Sequence, residues 1–184
     1  LLANDPPQLV REHTAYLLNR NTHLLQTLNE TGFQVETVFP LSGLATVTGN
    51  VSRGKNRLSS RVSTIFDERF IGVDLNFLPE AHSASFFFDW GKDELEALAA
   101  HRTGGFVVGT YTEQNHSFEW TFELQRGKLP FGADPWYWDT YSALSWQSPI
   151  GIGAALVIDR STNLSETDLA DTFEVETDPV SFFS

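Results

Sequence analysis

Cysteine and methionine are both absent from this chain of 184 residues. Without cysteine there is no disulfide framework, no thiolate nucleophile and no zinc site of the cysteine type. Positive charge is also scarce: 12 Lys and Arg stand against 24 Asp and Glu, for a net charge of −12. Phosphate binding draws on clustered cations, so this balance argues against general affinity for nucleic acid or for an anionic membrane. No apolar run approaches the roughly 18 residues of a membrane-crossing helix, and the expectation is of no membrane span. Metal-ligand spacing is missing too. The histidines at 13, 23, 82, 101 and 116 form neither H-x-H nor HExxH, and no Asp/Asn loop has calcium spacing. No metal and no cofactor are expected. A Gly-x-Ser-x-Gly elbow is absent as well, so a hydrolase triad would have to be assembled from scattered residues.

What is present is apolar and aromatic. At 41% hydrophobic and 13% aromatic residues the composition is that of one globular domain. Asp5-Pro6-Pro7 reads as a helix start, a capping carboxylate followed by Pro at the first helical position. Val10, Leu17, Leu18, Leu24, Leu25 and Leu28 recur at three- and four-residue spacing before Gly32, which predicts an amphipathic helix over about 7–30. From Gly32 the period becomes two. Strands are expected over Phe33–Phe39, Leu44–Val51, Leu58–Phe66, Ile71–Phe77 and Ser83–Trp90, with turns at Pro40–Gly43, Gly49–Asn56 and Asp67-Glu68.

Lys92 to Arg102 breaks the alternation with strong helix formers, acids in the first turn and Gly104-Gly105 behind them, which predicts a short inserted helix. Phe106–Thr112 and Phe118–Leu124 then form a hairpin. On its second arm Phe118, Trp120, Phe122 and Leu124 share one face and Glu119, Thr121 and Glu123 the other. The aromatic face is expected to pack, which points Glu119 outward. After a loop at Gly127–Pro135 and the aromatic stretch comes a last apolar strand at Ile150–Ile158. The expected fold is mostly β: an antiparallel barrel, or a two-sheet sandwich, with the leading helix and the short inserted one. Residues 1–158 form the domain, and the acidic segment 159–184 is a tail or a strand laid on an edge.

Two motifs invite over-reading. Gly49 to Asn56 is one residue short of a phosphate-binding loop, but Asn56 replaces the Ser or Thr, and strand-like alternation follows where a helix is needed. Arg53, Lys55, Arg57, Arg61 and Arg69 make a local positive patch, read either as a solvated hairpin tip or as a receiver of acidic groups. Four Asn-x-Ser/Thr triplets, at Asn29, Asn50, Asn115 and Asn163, favour an extracellular or secreted protein with glycan acceptors on surface loops.

The densest feature is Phe131 to Trp146, which holds three of the five tryptophans. Such a run is either core or a binding surface. Read as a surface, Trp136, Tyr137, Trp138 and Trp146 would stack on a carbohydrate or small apolar ligand, with Asp134 and Asp139 fixing its hydroxyls. The leading functional expectation is therefore extracellular, non-catalytic binding. A second is a cofactor-free isomerase or cyclase with a barrel-interior cavity. It would use Asp89, Asp139 or His116 as acid or base, because carboxylates among aromatics have raised pKa values. A third is a structural subunit, which would show as a homo-oligomer or larger assembly.

Overall fold

In a computed structural model the described residues are 14–19, 30–57, 63–77, 82–94, 100–112, 115–129, 136–162 and 173–176. They form a short helix α1 (Tyr16–Asn19) and nine strands: β1 (Glu30–Ser42), β2 (Ala45–Arg57), β3 (Ser63–Phe77), β4 (His82–Asp93), β5 (Ala100–Tyr111), β6 (Ser117–Lys128), β7 (Trp136–Gln147), β8 (Gly153–Ser161) and β9 (Phe173–Glu176). The strands pair in sequence order, each antiparallel to the next, in one sheet. Among the described residues no pairing joins β1 to β8 or β9, so the sheet is not closed. It is nonetheless strongly curled. Thr48 on β2, Asp74 on β3, Ser85 on β4, Val107 on β5 and Glu119 on β6 line one cavity.

Several expected boundaries dissolve into longer strands. The turns expected at Gly49–Asn56 and Asp67-Glu68 lie inside β2 and β3, where Arg53 pairs with Asp67 and Gly54 with Phe66. The long helix over about 7–30 is not seen. Its described part is α1 alone, Glu30 already belongs to β1, and the remainder lies outside the described residues. Lys92 and Asp93 end β4 and Ala100–Arg102 begin β5, so the inserted helix does not occupy that range; 95–99 lie outside the described residues. Ladder hydrogen bonds made with neighbouring strands outweigh local helix propensity at these ends. Gly127 and Lys128, expected in a loop, close β6. Pro40, which cannot donate to a ladder, sits at the register shift between Pro40 and Ser42 on the edge strand.

The largest departure concerns which face is inside. In β2 the buried positions are Thr48, Asn50, Ser52, Gly54 and Asn56, while Val51 and Arg53 point out. The register carries this polarity across the sheet. Asp89 pairs with Thr103, Thr103 with Gln125 and Gln125 with Asp139, and all four are buried, three of them with no exposed surface at all. On the opposite face Phe86, Phe88, Trp90, Trp120 and Leu144 are each 44% exposed or more. Within strands β2 to β8 every exposed large apolar side chain points outward except Tyr111 at the end of β5. The hairpin β5–β6 is thus inverted relative to expectation: Glu123 is 1% exposed and Trp120 is 47% exposed. Glu119 faces the cavity rather than away from it.

Rings and glycines share the interior. Phe87 on β4 leans over Gly105 on β5, so that a Cβ there would lie 2.8 Å from the ring and 2.6 Å from the Phe122 carbonyl oxygen. His101 covers Gly91 in the same way. The inner wall of a curled sheet has too little room for a side chain at every position, and glycine opposite a ring resolves the crowding.

Candidate functional site

The interior is built as a polar network around α1. The Glu123 carboxylate accepts the Tyr16 N–H at 2.8 Å and the Leu17 N–H at 2.7 Å. These are first-turn donors that have no partner within a helix. Gln125 Nε2 donates to the Leu17 carbonyl at 3.3 Å and to Thr103 Oγ1 at 2.8 Å. Tyr16 stacks on Tyr141 with centroids 4.2 Å apart, and Leu17 and Leu18 are buried.

In the same row as Thr103 and Gln125, Asp89 Oδ1 lies 2.6 Å from Nε2 of His101, which stands one row further. Asp89 is fully buried, and its second oxygen meets no donor among the described residues. The interior is one-sided in charge. Glu68, Asp74, Asp89, Asp93, Glu119, Glu123 and Asp139 all point inward, whereas no Lys or Arg of the described strands does. The cavity beside α1 measures about 470 Å³, with Phe70 and Phe87 facing Asp74, Glu119 and Glu123. Among the described residues no group of three or more acids and histidines is arranged to hold a metal ion.

The residues expected to form one site are dispersed. Trp136 and Trp138 point outward at the start of β7, while Trp146 points outward at its far end, roughly 26 Å along the strand. Tyr137 and Asp139 point inward, with the Tyr137 ring over Gly127. Asp134 lies outside the described residues. Asp89 and Asp139 share one inner row but are separated by Thr103 and Gln125, roughly 14 Å. His116 lies at the turn between β5 and β6, at the far end of the sheet, where its Nδ1 accepts Trp146 Nε1–H at 3.2 Å. Asn50 is no surface-loop acceptor: it is 2% exposed in mid-strand, where its Oδ1 accepts Gln34 Nε2–H and its Nδ2 donates to Ser52. Asn115 does sit in an exposed turn, with a positive φ of 60°.

No protein-family model matches this chain, and neither a curated protein nor a solved structure is similar to it.

Sequence reasoning missed His101 and Glu123, and of the outward basic rows it found only Arg53 and Arg69, as part of the local positive patch. Arg69, Arg102 and Arg126 lie in one ladder row with Val51, Trp90 and Trp138. Arg53, Lys92 and Lys128 lie in the next row toward the strand ends, with Trp136. The signal was available in the alternation. Arg126 and Lys128 continue the phase of Trp120 and Phe122, and Arg69 that of Ile71 and Val73.

Proposed function

We propose that this chain is a membrane-embedded β-sheet protein whose outer face contacts lipid and whose polar interior is closed off by α1. The observation that carries the reading is the inversion of polarity: a fully buried row of Asp89, Thr103 and Gln125 behind an outer surface of exposed Phe, Trp, Leu and Ile. In water, an outer face on which every strand from β3 to β8 exposes large apolar side chains is a liability. In hydrocarbon, alternation of apolar-out with polar-in is the arrangement that a spanning sheet requires. Strands of 12 to 15 residues over β3 to β7 exceed the roughly 9–11 that cross a bilayer.

Among the described residues no helix is long and apolar enough to cross a membrane. The reading departs from the expectation of no membrane span by using strands instead. It also replaces the expectation of a stacking site for a carbohydrate or small apolar ligand, because Trp136 and Trp138 are better placed as an interfacial belt than as walls of one pocket.

A pair of neighbouring substitutions separates the two environments. Leu144 is outward and 52% exposed, while Ser145 points inward. For a protein folded in water, Leu144→Arg should be neutral and Ser145→Arg costly. For a sheet in lipid, Leu144→Arg should cost about 2–4 kcal/mol of folding into bilayers, whereas Ser145→Arg, facing a polar interior beside acids, should cost less. Folding into phosphatidylcholine vesicles, read by protease protection, is the measurement. Equal folding of Leu144→Arg and the parent chain would sink the proposal.

A further inference from the structure

Resting on the membrane reading, we infer that the basic end of the outer face binds the anionic phosphate headgroups of one lipid leaflet and so sets which way the sheet faces across the bilayer. The chain carries a net charge of −12, yet every Lys and Arg of the described strands points outward and lies toward the same end of the sheet. The opposite end, where β1 meets β2, β3 meets β4, β5 meets β6 and β7 meets β8, carries none among the described residues. Acids are sorted the other way. Asp67 is the one outward carboxylate within the described strands β2 to β8. A charge distribution determined by solubility alone has no reason to separate by both face and end.

The cations are interleaved with indoles, which marks an interface rather than open water. The Arg126 guanidinium lies 4.5 Å from the centre of the Trp136 ring and 5.6 Å from that of Trp138, and Lys128 Nζ lies 5.8 Å from Trp136. Arg69 lies 4.9 Å over Trp90. Trp is favoured at headgroup depth because its ring is apolar and its N–H is polar. A guanidinium over an indole face keeps its edge N–H groups directed outward to reach a phosphate, as at Arg126. Arg69 Nε also donates to Asp67 Oδ1 at 3.2 Å and Lys92 Nζ to Glu94 Oε1 at 2.7 Å, exposed pairs that a phosphate can compete for. From Arg126 inward, the outer face of β6 continues with Leu124, Phe122, Trp120 and Phe118, so headgroup and acyl-chain zones follow one another on a single strand. Phosphate at the level of Arg69, Arg102 and Arg126 and hydrocarbon below them is the complementary partner.

The test is folding of the full-length chain from urea into vesicles of phosphatidylcholine alone and of phosphatidylcholine with 30% phosphatidylglycerol, scored by protease protection. The readout is the ratio of lipid concentrations giving half-maximal folding in the two compositions. A juxtamembrane cation is worth about a five-fold change in partition onto an anionic surface. The parent chain should therefore fold at a more than ten-fold lower concentration of anionic lipid, an advantage that 0.5 M NaCl abolishes. Arg102→Gln with Lys128→Gln should reduce the ratio by about 25-fold or to unity, and Arg69→Gln with Lys92→Gln gives an independent pair should the first fail to fold. Efficient folding in both vesicle types with a ratio near one overturns the headgroup inference and leaves the membrane reading intact. A salt-sensitive advantage that neither pair of variants reduces also overturns it, because the attraction then arises elsewhere. Failure to fold into either vesicle overturns the membrane reading and the inference together.

Discussion

The Glu123 carboxylate accepts two backbone N–H bonds, from Tyr16 at 2.8 Å and from Leu17 at 2.7 Å. Glu123→Gln keeps only one acceptor oxygen, so one of these buried N–H groups should lose its partner at a cost of about 1–3 kcal/mol in unfolding free energy. Urea titrations of parent and variant in a detergent that supports folding check this, and equal stability would mean that the two bonds do not hold α1 to the sheet. Neither the role of Glu123 nor the pairing of Asp89 with His101 was legible in the sequence. Glu123 meets Tyr16 and Leu17 across more than a hundred residues, and no local pattern encodes such a contact.

At the level of elements, period-two alternation was a sound guide to strands but silent about their sign. Phe118 to Leu124 shows that one set of residues faces Glu119 to Glu123 across the sheet; it does not show which set is inside. That depends on the solvent, and a reading that presumes water assigns the aromatic face to the core. Boundaries failed for a different reason. Gly49, Gly54 and Asp67 are turn-forming residues, yet β2 and β3 pass through them because both neighbours supply ladder partners. The leading helix was over-read because apolar spacing continued toward Gly32, whereas pairing with β2 already holds Glu30 and Thr31. What the structure keeps of it, α1, is anchored by Leu17, one of the few apolar side chains with no exposed surface. Leu17→Ala should weaken its docking by about 2 kcal/mol or more. Hydrogen exchange should then show the Tyr16 amide losing at least roughly 30-fold of its protection while the Thr103 and Gln125 amides keep theirs. Equal loss at all three would mean that α1 and the sheet unfold as one unit.

For the whole molecule, the open edges are in tension with burial in lipid, because an unpaired strand edge leaves backbone N–H and C=O groups with no partner in hydrocarbon. On the proposed membrane reading β1 must therefore find a partner, and strand direction decides which. With every neighbouring pair antiparallel, β1 and β9 run the same way and β1 and β8 run opposite ways. An all-antiparallel closure therefore joins β1 to β8, on the edge that β9 now covers by four residue pairs, Ala155 to Ile158. Four pairs are a short ladder to displace, and β1 has thirteen residues with which to do so. The native chain contains no cysteine, so introduced pairs report without background. Val35→Cys combined with Leu156→Cys, and Thr37→Cys combined with Leu156→Cys, place thiols on the outward phase of both edges. Oxidation after folding into vesicles should give a cross-linked monomer for at least one of the two combinations, and far less in urea. A cross-linked dimer instead would mean that two copies complete one another's sheet. Absence of either product, with the β1 amides exchanging freely in the presence of lipid, would leave the edges bare and be incompatible with an embedded sheet.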